Sequence, residues 1–439
     1  MRVHVTESER MPDIPKRTLV AMMNALSTGV VPRRGLEYIA VGRRKETETF
    51  VSDLEYTAEG GGAFRFISGK FGNGKSFMIQ MIRNYAMDRG FVVMDADLAI
   101  NRRLTGSKHE GLNTYRELVR NMAVKARPDG GAMESLLQRW IDGVKERMSR
   151  ESGVPVESLP ADDVARRLGQ ETADMSGLTY YQDFASVLES YWRDVSSGSR
   201  DMPSLRWLKG EYELKSEVRR DLGISNMVTD ANWYDFVKIW AEFASRIGYK
   251  GMVVFLDEGV VLYKIQSKVS RSNNYERLLS MFNDIMQGKS SHLSVYVCGT
   301  PEFIEDPDRG LYSYEALRSR LVSGRFENGY DNYLGPVVNL RPLTNEEVFV
   351  LLKTLRSMHE QLHGYESEID DAMLETYLRT VNCSVGVGMV TPREITRDFI
   401  SLLDTMHQNP DVSFSELVDG RTVSPDRDPA DDLIGDLEV

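Results

Sequence analysis

Gly69-Lys70-Phe71-Gly72-Asn73-Gly74-Lys75-Ser76 matches in full the G-x-x-x-x-G-K-[ST] pattern of a phosphate-binding loop. Ahead of it, Ala63-Phe64-Arg65-Phe66-Ile67 is a short apolar and aromatic run that reads as a buried strand. Behind it, the segment from Phe77 to Met87 has helical spacing. Strand, glycine-rich turn and helix is the arrangement in which backbone N–H groups and a helix N-terminus converge on phosphate oxygens. Gly69, Gly72 and Gly74 let the backbone curl round an anion without Cβ clashes. Lys75 is placed to reach the β- and γ-phosphates, and the Ser76 hydroxyl to ligate Mg²⁺. Lys70, Phe71, Asn73 and Phe77 complete the expected nucleotide contacts. The expected cofactors are ATP and Mg²⁺.

A second motif supports the first. Met252-Val253-Val254-Phe255-Leu256-Asp257-Glu258 has the form of a Walker B strand, apolar residues ending in Asp-Glu. Asp257 is expected in the Mg²⁺ shell, and Glu258 is expected to polarise the attacking water. A carboxylate directly after the metal-binding one points to hydrolysis rather than transfer to a bound acceptor. The next strand, Leu293 to Thr300, ends in Gly299-Thr300-Pro301-Glu302, which makes Thr300 a candidate sensor of the water or γ-phosphate. A turn threonine satisfied by the backbone is its plainer role.

The chain of 439 residues can bury a large core and has room for about two or three domains or subdomains. Its composition, 41% hydrophobic and 27% charged, is ordinary for a globular protein. No apolar run approaches the roughly 20 residues that span a bilayer, so no membrane association is expected. The two cysteines, Cys298 and Cys383, stand far apart and outside any C-x-x-C pattern, which makes a reducing, cytoplasmic location the default. The formal charge of −12 argues against the whole surface being a nucleic-acid platform. Part of that charge lies between Ser424 and Val439, which reads as an acidic, disordered tail.

Along the chain, Lys16 to Ser27 reads as a helix, and a second strand is expected from Phe91 to Asp97. A helix-rich stretch runs from about residue 105 to 233, with clear 3.6-residue periodicity at Ala132 to Arg147 and Tyr180 to Trp192. The sheet resumes at Met252, a helix follows from Asn274 to Met286, and after Pro342 the chain is almost all helical. Those last helices are expected at Asn345 to His363, Ser367 to Arg379 and Pro392 to Met406. Strands this apolar are buried on both faces, as parallel strands covered by helices must be. The expected fold is therefore α/β: a P-loop NTPase parallel sheet core in residues 1–340 with a helical insertion at about 105–233. A C-terminal helical lid is expected at 341–410 and the acidic tail at 411–439.

Arginines near the end of the core are candidate fingers, projecting into a neighbouring subunit's site to offset transition-state charge. Arg318, Arg320 and Arg325 lie in the stretch from Tyr314 to Phe326, and Arg320 and Arg325 are preferred; a solvated basic helix face is the plain alternative. Thr391-Pro392-Arg393 opens the last lid helix with Thr391 as N-cap, placing Arg393 in the first turn, where it could contact a γ-phosphate. His359-Glu360-Gln361-Leu362-His363 fits the H-E-x-x-H zinc-protease pattern, with Glu375 as a conceivable third ligand. That reading is rejected, because the segment continues the lid helix, runs into Gly364 and shows no second metal-binding feature. It is read instead as a polar helix C-terminus, where histidine near the last carbonyls is favourable.

Together these pieces resemble an AAA+ ATPase of the origin-recognition and helicase-loader branch. Val41-Gly42-Arg43 followed by Glu46 is similar to that branch's entry motif near the adenine, which adds Gly42 and Arg43 to the expected nucleotide contacts. Leu340 to Glu347 resembles its lid entry. Outside the core, Ala25 to Pro32, Gly35-Leu36-Glu37 and Leu205 to Glu211 resemble the ATP-binding proteins of BREX phage-defence systems (BrxD-like), over about residues 16 to 405. The resemblance implies bacterial antiviral defence, ATP hydrolysis and work beside a helicase or other DNA-processing partner, and a homo-oligomer is expected. About 30 acidic residues follow the Arg393 helix, leaving no room for a C-terminal winged-helix DNA reader, so DNA binding is expected only on assembly. Two functions follow: an oligomerising ATPase that drives a DNA-processing defence complex, or a nucleotide-gated switch that turns over slowly and recruits an effector. The asymmetry between turnover and retained nucleotide separates them.

Overall fold

The four apolar runs form strands, joined by a fifth that is too short to leave a pattern. In the computed structural model, which describes residues 12–172, 175, 177–322, 332–384 (382–384 as backbone only) and 391–418, one sheet is present. It contains β1 (Gly62–Ser68), β2 (Val92–Asp97), β3 (Met252–Asp257), β4 (Leu293–Gly299) and β5 (Val337–Asn339) in the order β2-β3-β4-β1-β5. β2, β3 and β4 pair in parallel, with Val92 opposite Met252 and Met252 opposite Leu293. The Phe66 N–H donates to the Pro336 carbonyl and the Leu340 N–H to the Ser68 carbonyl, so the β1 and β5 segments advance in the same sense. All seven residues of β4 and the first five of β3 are buried, which is why these strands read as continuous apolar runs.

The chain forms two compact units, Met1–Thr49 with Ser68–Ile82 and Asn339–Val439, and Phe50–Ile67 with Arg83–Val338. The second carries most of the sheet. Between β2 and β3 it runs through helices Glu110–Arg120, Met133–Ser152, Ala161–Thr172, Tyr181–Ser196, Pro203–Leu208, Lys215–Leu222 and Trp233–Arg246. Their core is aromatic: Trp240 meets Phe184 edge-on at 5.2 Å, and Trp207 meets Phe236 at 5.2 Å. Burying an indole strands its N–H unless an acceptor is at hand. Trp207 Nε1 donates to the Asn226 carbonyl (2.8 Å), Trp233 Nε1 to the Leu104 carbonyl (2.9 Å) and Trp240 Nε1 to Tyr115 Oη (3.1 Å). Tyr115 in turn donates to the Leu208 carbonyl at 2.8 Å, which gives the Leu205–Glu211 segment a structural role.

The helix Arg44–Ala58 escaped the sequence reading because its buried stripe is largely polar. Glu46, Thr49, Phe50, Asp53, Leu54 and Thr57 are all buried, so apolar periodicity is absent although the helical period is intact. Within the second unit, Asp53 accepts both Arg65 Nε and Nη2 (2.5 and 2.6 Å), and Thr57 Oγ1 meets Ser294 Oγ at 2.6 Å.

The first unit packs helices Lys16–Ser27, Asn345–His363, Asp371–Ser384 and Pro392–Gln408 around Leu19, Met22, Leu352, Leu355 and Phe399. Thr344 opens the second of these with a capping box closed by Glu347, and Gly364 ends it in the left-handed conformation at φ 71°. Among the described residues no helix is long and apolar enough to cross a membrane. Arg325 and the acidic stretch 424–439 lie outside the described residues.

Candidate nucleotide site

The phosphate loop leaves β1 and enters the helix Lys75–Asp88, whose first turn starts at the motif lysine. Gly72 (φ 77°) and Gly74 (φ 89°) occupy the left-handed region, which is why the motif demands glycine there. Lys75 Nζ donates to the carbonyls of Gly69 (2.7 Å) and Lys70 (3.1 Å) and lies 5.4 Å from the Phe71 ring centre. The ammonium is thus held inside the curl of the loop. Ser76 is exposed in the first helical turn, and the Phe77 side chain packs against the apolar core of the first unit.

Arg43 is the loop's buttress. Its buried guanidinium donates to the Asn73 carbonyl (2.9 Å) and the Arg341 carbonyl (2.8 Å), and pairs with the equally buried Glu46 at 3.2 Å. Asn73 Nδ2 adds a bond to the Leu340 carbonyl at 3.2 Å. Two backbone carbonyls and a carboxylate are tied by one planar fork, a geometry that lysine could not reproduce. Gly42 is left-handed at φ 70°, and a Cβ there would fall 2.5 Å from the Glu347 carboxylate.

The last long helix begins beside the same loop. A Cβ on Gly72 would lie 2.4 Å from Thr391 Cβ, so glycine is required by contact as well as by backbone angle. Thr391 is the N-cap of Pro392–Gln408 in a capping box with Glu394. The exposed Arg393 passes Gly29, whose Cβ would sit 3.5 Å from Arg393 Cγ. Thr391→Ala should lower stability by about 1 kcal/mol, the usual worth of an N-cap hydroxyl. A shifted urea midpoint with an unchanged slope would report it.

In the second unit, Asp257 closes β3 and Glu258 follows with φ 56°. A non-glycine residue in this region is strained by about 1–3 kcal/mol, and such strain clusters at functional sites. The Glu258 N–H donates to Asp257 Oδ1 at 2.8 Å, and the Glu258 side chain is exposed. Asp97 stands opposite Asp257 in the β2–β3 register. Desolvation, then the Asp257 and Asp95 carboxylates, raise the Asp97 carboxyl above its ordinary value. The sequence reading missed Asp97, although an Asp-x-Asp at the end of an apolar strand was there to be seen.

Thr300 caps the short helix Pro301–Glu305 by accepting the Phe303 N–H at 3.4 Å, the backbone role weighed from sequence. Arg318 and Arg320 lie exposed on the helix Glu315–Leu321. Arg320 donates to Asn283 Oδ1 (3.0 Å) and to the Ala316 carbonyl (2.6 Å).

The comparison that decides the family covers residues 14–422, which match the model of the BREX system ATP-binding protein BrxC/D. The chain belongs to that family. Membership gives it an ATP-binding role in BREX phage defence, in agreement with the loop geometry and with the resemblance read from Ala25–Pro32 and Leu205–Glu211. No curated protein matches the chain.

Proposed function

We propose that this BrxC/D-family member is an AAA+ ATPase that hydrolyses ATP and couples turnover to the assembly or action of a DNA-processing defence complex. The observation that carries hydrolysis is the strained, exposed Glu258 directly after Asp257. A carboxylate held at a backbone cost, with no ion pair to stabilise it in return among the described contacts, is suited to polarising water. On the loop side, Lys75 and the N–H groups of the helix it opens supply donors for phosphate oxygens. Ser76 and Asp257 are the proposed Mg²⁺ ligands, and the ion would add charge neutralisation of the phosphates. Arg43 acts as a positioning residue for the loop rather than through its charge, because its donors are already committed to Asn73, Arg341 and Glu46.

The direct test is phosphate release by the full chain with Mg-ATP, with and without DNA, alongside mass measurement in the same conditions. Steady turnover and a nucleotide-dependent rise in mass are the expected results. Stoichiometric ATP retained without turnover would replace this reading with the nucleotide-gated switch. Binding to DNA should require ATP and fall steeply with salt. Among the basic residues between 102 and 120, Arg102 and Arg120 both pair with Glu117 (3.2 and 2.5 Å), and Arg116 Nε is bound to the Gly210 carbonyl at 2.8 Å.

If an arginine acts across a subunit interface, mixing Arg320→Ala with Glu258→Gln should restore activity that neither variant has alone. One mixed interface then pairs an intact finger with an intact carboxylate. Arg320 can be recruited at low cost, since its hydrogen bonds to Asn283 and Ala316 are exposed and such bonds contribute only about 1 kcal/mol each. No recovery at any ratio, with subunit exchange verified by mass, would remove Arg320 from the role.

A further inference from the structure

The H-E-x-x-H segment ends its helix with exposed Gln361 and His363, as the sequence suggests, but it is more than a polar helix end. His359 is fully buried, and a second helix brings further donors to it. His359 Nε2 lies 3.0 Å from Asp404 Oδ1, and its Nδ1 lies 2.9 Å from Tyr365 Oη. The His363 ring centre is 4.4 Å from that of His359, one turn earlier on the same helix. His407, one turn beyond Asp404 on Pro392–Gln408, has its ring centre 4.7 Å from His363 and 4.5 Å from Tyr365. Donor atoms of His359, His363 and Asp404 all lie within 4.8 Å of one another.

The geometry points to a transition-metal site, of the kind that takes Zn²⁺, with His359, His363 and Asp404 as ligands bridging the helices Asn345–His363 and Pro392–Gln408. Nothing in the nucleotide chemistry requires it, and it stands or falls separately. The i, i+4 histidines present two imidazoles on one helix face, and the aspartate approaches from the facing helix. Donors in a tetrahedral zinc site are about 3.3 Å apart, given bonds of about 2.0–2.1 Å, so the present spacing needs only small side-chain adjustments.

The supporting shell is already in place. In the tautomer that carries its proton on Nε2, His359 donates to Asp404 and accepts from the Tyr365 hydroxyl at Nδ1. With a metal on Nε2, the other tautomer would hold the proton on Nδ1, within hydrogen-bond reach of the Tyr365 oxygen. The proton count of the ring is unchanged, and Tyr365 becomes the second-layer partner that ligating histidines usually have. Burial lowers the His359 pKa from its ordinary value, against the opposing hydrogen bond to Asp404. The exposed His363 leaves a route for the ion from solvent.

The site is a clamp between helices rather than a protease centre. Glu360, which would be the protease base, accepts the Ser367 N–H at 3.1 Å and lies 3.9 Å from Arg356. Glu375, the third ligand considered from sequence, is exposed and pairs with Arg379 at 3.4 Å. Neither belongs to the cluster.

The test is calorimetric titration of the tag-free, chelator-treated full chain with Zn²⁺, and with Co²⁺ as a spectroscopic probe, without nucleotide or Mg²⁺. One ion per chain is expected, with a visible Co²⁺ band of tetrahedral type and a rise in unfolding temperature. Losing an outer partner costs typically 10–100-fold in affinity, so Tyr365→Phe should weaken binding by about that factor. His363→Ala and Asp404→Asn remove ligands and should weaken it by about 100-fold or more. Both positions are at least partly exposed, and circular dichroism of the ion-free variants verifies that they fold. Absence of one-to-one binding at micromolar Zn²⁺, or binding unchanged in folded His363→Ala and Asp404→Asn chains, would overturn the site.

Discussion

Lys75→Ala should abolish measurable ATP binding while leaving the fold intact. The ammonium is the motif's charge expected at the β- and γ-phosphate oxygens, and hydrogen bonds involving a charged group contribute about 1.5–3 kcal/mol each. Losing two such bonds weakens affinity by roughly a hundredfold or more. The same ammonium donates to the carbonyls of Gly69 and Lys70. The Lys70 carbonyl is exposed, where water can replace the donor, and the bond to Gly69 is only part-buried, so the unfolding midpoint should shift little. Equilibrium binding of a fluorescent ATP analogue, read beside thermal unfolding, separates the two effects. Wild-type affinity in a folded Lys75→Ala chain would remove this loop as the nucleotide site.

Glu258→Gln should do the opposite: retain ATP and stop its hydrolysis. The amide keeps the shape of the carboxylate but cannot take a proton from water, and general-base contributions are about 10²–10⁴-fold in rate. Backbone strain at φ 56° is the same for both residues, so stability should be unaltered. Phosphate release falling by about that factor, with nucleotide affinity preserved, is the expected pair of results. An undiminished rate would place the catalytic carboxylate elsewhere and leave the strain at Glu258 without a role. The variant should also hold ATP for longer, because no product forms when the chemical step is blocked.

What the sequence determined by itself was local and strongly patterned. β3 and β4 were legible because strands buried on both faces must be apolar throughout. The helices Lys16–Ser27 and Asn345–His363 carried their own period, and the second carried both its boundaries, in the Thr344 capping box and Gly364. The phosphate loop was legible because its glycines answer to backbone angles set within eight residues. Tertiary structure decided everything that depends on a partner far away in the chain. β5 is three residues long and exists only because the Pro336 carbonyl and the Leu340 N–H find β1. The helix Arg44–Ala58 hides its period because its buried face is polar, and only distant partners such as Arg65 and Ser294 make that burial tolerable. Arg43 reads as a ligand contact in sequence and as a structural tie in space, since the carbonyls it holds are 30 and 298 residues away. For His359 and His363 the sequence supplied one helix face, and the fold supplied Asp404, His407 and Tyr365. A periodic signal records which side of an element is buried; it carries no record of what that side meets.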